Sequence, residues 1–312
     1  MDSSDTFPSS AEGVVRDPNL VWTRVGDFKV PKPFNGEHLL SWCGRAYRAN
    51  DVQKVVGTES SFQSYLPFKV DSLAELAALA GMDLDQLFRR HTIGPYMRAV
   101  TRDLVPVNSQ GRRAPALNSK LRNSSTWGGL RFCPDCVKRD LDRRGVAYWR
   151  RMHLLPGVFW CSVHGTALMR PDIKTTFVQE PGLHLLAEDD LKFDEKRLCD
   201  VHPAIQRYVH LAMLTLRRCH SVGTTTISAR LKSLVFDAEM NTSTSRLLND
   251  AVQNAYPEDW LKKTVPQRIG VGRGGRAASD WYKMTVVWEK PRATERYLIL
   301  AAALCSDARW LG

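Results

Sequence analysis

The 312-residue chain has no apolar run approaching the ~18 to 20 residues that cross a bilayer, its longest apolar-rich stretch being Tyr297 to Cys305. Its opening, MDSSDTFPSS, is acidic and polar and lacks the basic-then-apolar order of a secretory leader. The expected setting is therefore the cytoplasm, with no membrane partner. Cysteine is scarce: there are seven, an odd number in a chain too large to depend on disulfides, so reduced thiols are expected and metal binding becomes the first chemical question. Acidic residues are also in deficit, 33 against 44 Lys plus Arg, for a net charge of +11. No Gly-Lys-Ser/Thr loop is present. GVGRGGR at 270–276 has glycines and arginines but no strand-to-helix setting, and reads as a flexible basic loop. With no carboxylate cluster for two-metal chemistry either, nucleotide hydrolysis and two-metal nuclease activity have no sequence support, and no enzymatic activity is expected.

What is present is a globular composition, 43% hydrophobic and 25% charged, with length for about two modules. The excess charge is clustered. Between Arg112 and Arg151 stand eleven basic residues against three acids, a local charge of +8, and Lys262 to Arg276 holds five basic residues and no acid. Clustering of this kind is the electrostatic footprint of phosphate contact, although a solvated basic surface has the same composition. The candidate nucleic-acid or partner contacts are Arg112, Arg113, Lys120, Arg139, Arg143, Arg144, Arg273 and Arg276.

Helical signals dominate. Asn35 can cap a helix in which Leu39, Trp42, Ala46 and Ala49 recur at helical spacing, with Arg45 and Arg48 on the opposite side. In DSLAELAALAGMDLDQLFRR, residues 71–90, Asp71 or Ser72 caps one helix, Gly81 ends it, and Asp83 caps a second carrying Leu84, Leu87 and Phe88. Ala77, Gly81 and Leu87 have the spacing of a helix-turn-helix, a pattern shared by core helix pairs that touch no nucleic acid. Further on, residues 204–219, 227–240 and 246–255 read as amphipathic helices, the last capped by Ser243 or Thr244. Trp281, Tyr282, Val286 and Trp288 suggest an extended segment before a final apolar helix near 297–304.

CPDC at 133–136 and CSVH at 161–164 form two matched short knuckles separated by 24 residues. Two such pairs brought together supply the four N/S ligands that tetrahedral zinc prefers, so Cys133, Cys136, Cys161 and His164 are the expected ligands of one structural zinc ion. Four protein ligands leave no open position for water, which argues against a catalytic metal. Pro134 and Gly165 fit knuckle turns. A zinc deaminase would need His-x-Glu and Pro-Cys-x-x-Cys, and neither occurs. Cys199 and His202 form another Cys-x-x-His pair without a matching cysteine pair, and Cys43, Cys219 and Cys305 read as core thiols.

The stretch FCPDCVKRDLDRRGVAYWRRMHLLPGVFWCSVHGTALM, residues 132–169, resembles the TniQ/TnsD family of bacterial transposition proteins. Tyr148, Trp149, Arg150, His153, Leu155, Pro156, Gly157, Cys161, His164 and Gly165 fall at the places of that family's zinc motif. PFNGEHLLSWCGRAYRAN, residues 33–50, is similar to the family opening through Pro33, Glu37, Leu40, Ser41, Trp42 and Arg45. Near the end, Glu295, Arg296 and Tyr297 depart from the family's His-Leu run, so no role is carried over there. On a helix between the knuckles, Trp149 and His153 would share a face and pack on the zinc lobe, His153 as a core histidine.

The resemblance implies an adaptor in target-site selection for DNA transposition, one that meets target DNA or an RNA-guided CRISPR effector and recruits an AAA+ ATPase regulator and transposase subunits. A homodimer is compatible with the apolar helix faces. The expected fold is mainly α with a small zinc-ribbon-like lobe, helix-turn-helix modules flanking the zinc-binding domain. Its expected parts are a flexible N-terminal arm at 1–30, a helical N-terminal domain with a helix-turn-helix at 31–125, the zinc-finger lobe at 126–170 and a helical C-terminal domain at 171–312, with room for a second helix-turn-helix. Two competing readings are a zinc-containing sequence-specific transcription regulator and an enzyme using His38, His91, His153 or His184.

Overall fold

A computed structural model describes residues 22–25, 27–50, 73–101, 129–171, 177–185, 202–218, 222–237, 244–265 and 294–305. Among these the backbone is mainly helical. An antiparallel hairpin of β1 (Trp22–Val25) and β2 (Phe28–Pro31) leads into α1 (Leu39–Ala49). The cap of α1 is His38 and not Asn35: His38 Nδ1 accepts from Leu40 N at 3.3 Å, while Asn35 lies in the preceding turn. Asn50 closes the other end. Its amide donates to Ala46 O and Lys29 O and accepts from Lys29 N, fastening α1 to β2, and the Trp42 indole donates to Pro31 O.

The pair α2 (Leu73–Leu79) and α3 (Leu84–His91) forms as the sequence indicates. Gly81 sits at φ +69° in the turn, and Asp83 caps α3 by accepting from Gln86 N at 2.7 Å. Leu76, Ala77 and Leu87 are buried between the two helices and α1, whereas Leu84, placed inward by its spacing, is 45% exposed. A short helix α4 (Gly94–Met97) and strand β3 (Val100–Thr101) follow.

The segment 129–171 contains α5 (Pro134–Arg144) and a 3-10 turn, Arg151–Leu154; a second 3-10 turn, Pro181–Leu185, packs on α5. Then come α6 (Pro203–Arg217), β4 (Val222–Gly223), α7 (Thr224–Asp237), α8 (Thr244–Ala255), α9 (Glu258–Thr264) and α10 (Thr294–Leu304). Strands β3 and β4 pair in parallel.

Two apolar cores result. One gathers β2, α1, α2, α3, Phe132, Val137, Trp149, Leu154 and Phe177. The other gathers α4, the cysteines 133, 136 and 161, the run Leu155–Phe159, α6 and α10. The chain passes from one to the other at Leu154–Leu155, where Pro156 and Gly157 make a turn clamped by aromatic groups. Tyr208 Oη donates to Pro156 O at 2.9 Å, and the Trp260 indole donates to Gly157 O at 3.3 Å. Gly157 has φ +69°, and an added Cβ would lie 2.7 Å from Tyr208 and Thr264 side chains, so both conformation and space require glycine here.

The flexible arm expected over 1–30 is corrected at its end, where Trp22–Val25 and Phe28–Pro31 pair as a hairpin; residues 1–21 of it, the Asp71 or Ser72 cap, the loop 270–276, the Trp281–Trp288 segment, and Cys199 and Cys219 fall outside the described residues. Cys43 and Cys305 are buried as core thiols.

One buried acid stands out in the second core. Glu295, in the first turn of α10, is 3% exposed, and its Oε2 has no hydrogen-bond partner among the described residues. Burial pushes its carboxyl up to about 7. The unfolded chain ionises first, near 4.5, so the fold loses stability as pH rises from there to about 7 and levels off above it. Glu295→Gln should therefore be more stable than the parent at pH 8, by up to roughly 3 kcal/mol, and equal to it at pH 4. Urea unfolding at both pH values checks this; an equal difference at the two would contradict it.

Candidate metal centre

The two knuckles reach one point by different local structures. The first is the start of a helix and not a turn: Cys133 is the cap of α5, its Sγ accepting from Cys136 N at 3.5 Å, and Pro134 occupies the first turn, where a missing N–H is harmless. The second is a tight hairpin. Trp160 bridges Ala167, Cys161 N donates to Thr166 O and Gly165 N to Cys161 O, both at 2.8 Å, with Gly165 at φ +67°. A further bridge, Phe132 to Met169, holds the approach to both knuckles.

Cys133, Cys136, Cys161 and His164 converge so that their ligand atoms all lie within 4.8 Å of one another. His164 Nδ1 stands 3.3 Å from Cys133 Sγ, 3.4 Å from Cys136 Sγ and 3.7 Å from Cys161 Sγ, and Cys136 and Cys161 sulfurs are 3.7 Å apart. These are the edges of a tetrahedron: metal–sulfur bonds of ~2.3 Å give sulfur–sulfur edges of roughly 3.7 Å. A disulfide would require ~2.05 Å. The cluster could thus hold one metal ion with all four positions filled by protein. Thr166 Oγ1 lies 3.1 Å from Cys133 Sγ, and Arg139 donates to Cys136 Sγ at 3.9 Å, contacts that offset thiolate charge.

Beside the cluster lies a polar seam that the residue spacing did not reveal. Glu37 is fully buried, and its carboxylate accepts from Arg45 Nε and Nη2 at 2.8 Å each, from Phe34 N at 2.9 Å and from Ser41 Oγ at 3.2 Å. Arg45 was expected on the outer side of its helix; it is 5% exposed, stacked over the Phe34 ring at 4.0 Å, because its charge is matched inside. Ser41 Oγ also accepts from Trp149 N at 3.0 Å, His38 N donates to Trp149 O at 2.9 Å, and Arg151 N donates to Gly36 O at 3.1 Å. The opening residues 36–45 and the segment 149–151 are zipped together. Glu37 and Ser41 surfaced in the sequence only through the family resemblance, since nothing in helical periodicity marks an acid one residue before a helix cap as buried.

Trp149 and His153 do not share a helix face. Trp149 is in extended chain, its indole donating to Gln179 O at 2.7 Å, and His153 lies in the 3-10 turn that follows. His153 is buried outside the ligand set, and burial holds its imidazole down to about 3, hence neutral. The other histidines weighed for catalysis are buried too. His38 caps α1 and stacks on Phe177, burial holding it down to about 3; His91 Nδ1 meets Glu37 O at 3.0 Å; His184 packs near Trp149 and Phe132.

Of the eight basic residues marked for nucleic-acid or partner contact, Arg112, Arg113, Lys120, Arg273 and Arg276 lie outside the described residues. Arg143 is exposed on α5. Arg144 is paired with Asp140 at 3.0 Å and lies over the Phe34 and Tyr148 rings, and Arg139 faces the Cys136 sulfur.

Fold and site together define a mainly helical protein with a Cys3His cluster that could hold one metal ion. Residues 29–168 match the TniQ family, and the resemblance to the TniQ/TnsD family holds over that stretch. The chain is also similar to the Escherichia coli transposon Tn7 transposition protein TnsD, at 31% identity over 90 residues. That match covers 26% of this chain and spans 18% of the relative's length.

Two outcomes are expected. The full chain purified without chelator should carry about one equivalent of metal by elemental analysis, Cys161→Ser should carry none, and chelation should lower the melting temperature sharply, because ligation energy is folding energy in such sites. Metal-free protein that melts at the same temperature would contradict this. Glu37→Gln should destabilise by about 3–5 kcal/mol in urea, because Arg45 is left as an uncompensated buried charge; a loss under about 1 kcal/mol would show the pair to be immaterial.

Proposed function

We propose that this protein is a non-catalytic adaptor for target-site selection in DNA transposition. The observation that carries the reading is the coincidence of the TniQ match with the Cys3His cluster and the buried seam that supports it, in a chain similar to a transposition protein. A closed four-ligand site shapes a surface and has no open position for chemistry. Three thiolates and one imidazole at tetrahedral spacing suit zinc, the d10 ion that accepts this donor set without redox consequence.

In this reading the adaptor joins target DNA, or an RNA-guided CRISPR effector, to an AAA+ ATPase regulator and through it to the transposase. The α2–α3 pair, two short helices joined by a turn at Gly81, is the candidate DNA-facing element on the strength of Arg89 and Arg90 in the last turn of α3. Arg143 is the α5 arginine free to meet phosphate, while Arg144 serves the fold. The basic residues outside the described segments, Arg112, Arg113, Lys120, Arg273 and Arg276, remain candidate contacts on charge.

The experiment is a pull-down of the metal-loaded chain against the AAA+ ATPase and transposase subunits encoded nearest to it, with and without DNA. ATPase capture is expected; failure under both conditions, alongside tight binding to one DNA sequence, would make the protein a regulator instead. If Arg143 meets phosphate, Arg143→Ala should lower DNA affinity and reduce the slope of log K against log salt by about one. Arg144→Ala should leave that slope unchanged and lower stability.

A further inference from the structure

Alongside the metal-binding hairpin runs a groove of ≈ 500 Å³, walled on one side by Trp160, Ser162, Gly165 and Ala167 and on the other by α6. The α6 wall is a single stripe: Gln206, His210, Leu214 and Arg217 recur every three or four residues, with Val209 and Met213 forming the floor between them. Three properties of this groove call for an occupant. Its floor is aliphatic and thioether, and the indole of Trp160 edges it. Its polar side chains, Gln206, His210 and Arg217, are exposed and make no hydrogen bond or ion pair among the described residues. Val163, at the hairpin tip between the groove residues Ser162 and Gly165, is 56% exposed, continuing the apolar surface past the rim.

Charge selects the occupant. Among the described residues no carboxylate lines the groove, so Arg217 presents a cation without an acidic partner there at one end, with His210 beside the floor. A nucleic acid strand would place a phosphate every few ångströms and needs a row of cations to match. One guanidinium and one imidazole over an apolar floor match instead a peptide with an acidic residue next to one or two apolar side chains. A volume of ≈ 500 Å³ accommodates side chains on that scale, and a floor containing Met213 adapts to their shape.

We propose that this groove is a docking site for a short acidic peptide segment of a partner protein, its apolar side chains seated on Trp160, Val209 and Met213 and its carboxylate on Arg217. Because one wall is the hairpin that carries Cys161 and His164, the groove is shaped by the metal centre. The inference does not rest on the transposition reading, and either can fail alone.

A random peptide library displayed on phage, selected on the full metal-loaded chain and on Arg217→Glu, tests it. Both Arg217 and His210 are exposed, so Arg217→Glu and His210→Ala should keep the parent melting temperature. The parent should enrich peptides with Asp or Glu next to Leu, Ile, Met or Phe. The best synthetic peptide should bind the Arg217→Glu chain at least about tenfold more weakly in fluorescence anisotropy, and His210→Ala should weaken it less. No enrichment over the Arg217→Glu control, enriched peptides lacking acids, or affinity indifferent to Arg217 would each overturn the proposal. Tighter, Arg217-dependent binding of an oligo-dT strand that displaces the peptide would assign the groove to nucleic acid and overturn it too.

Discussion

The constraint on which the N-terminal half depends is the burial of one carboxylate. Glu37 has no contact with solvent, and every lone pair it offers is answered, by Arg45, Phe34 N and Ser41. A buried ion pair of this kind adds little net stability over apolar residues of the same shape, because desolvation offsets the Coulombic gain. Its value here is register. Ser41, held by Glu37, accepts from Trp149 N, while the backbone of Gly36 and His38 pairs with Arg151 and Trp149, so α1 and the segment that leads to the metal knuckle can meet in one alignment. Arg150, next in line, chelates buried Asp140 of α5 with bonds of 2.7 and 2.8 Å. Three consecutive residues, Trp149 to Arg151, thereby fasten the first helix, the metal-bearing helix and α3.

The metal cluster then joins what that seam has aligned to the C-terminal helices. Its cysteines belong to the same apolar core as α6 and α10, whereas Phe132 and Val137, one residue from the ligands on either side, belong to the other core. Arg131 is buried at 1% exposure and donates to His153 O and Leu155 O at 3.0 and 2.8 Å, across the point where the chain changes cores. The lobe is therefore not an appendage but a joint in the packing, and a change at its Cys3His cluster should be felt in both cores. Arg45 offsets Glu37 and Arg150 offsets Asp140, so each of these buried carboxylates has its counter-charge beside it in the interior.

What could be read in advance follows from which signals are local. Helix caps and breakers such as Gly81 and Asp83, and ligand pairs spaced by two residues, are set by short-range geometry, and they stand where the sequence puts them. Asn35 misled because a turn-former two residues before Glu37 resembles a cap, while the true cap, His38, is chosen by tertiary burial against Phe177. The helix imagined through Trp149 and His153 fails for a related reason: backbone groups from 149 to 151 are claimed by residues 36–41, which an isolated helix would have to forgo. The α6 groove was not legible at all, because it is formed by two segments some forty residues apart, each of which reads alone as an ordinary amphipathic element.

The charge density between Arg112 and Arg151 shows how composition overstates a nucleic-acid surface. Within its described part, Arg131 clamps two carbonyls, Arg144 and Arg150 share Asp140, and Arg151 donates to Thr92 O and Arg89 O from beneath the surface. Burial lowers the Arg151 guanidinium to about 10, yet it stays charged, its Nη1 donating to the two carbonyl oxygens of Arg89 and Thr92. These arginines are spent on joining irregular segments that lack a sheet or long helix to satisfy their carbonyls. Of the basic residues of α5 only Lys138 and Arg143 are exposed, so any phosphate contact by this helix rests on its outer edge. A basic cluster beside closely spaced metal ligands is therefore better read first as the means by which a loop-rich lobe satisfies its backbone, and only then as an interface.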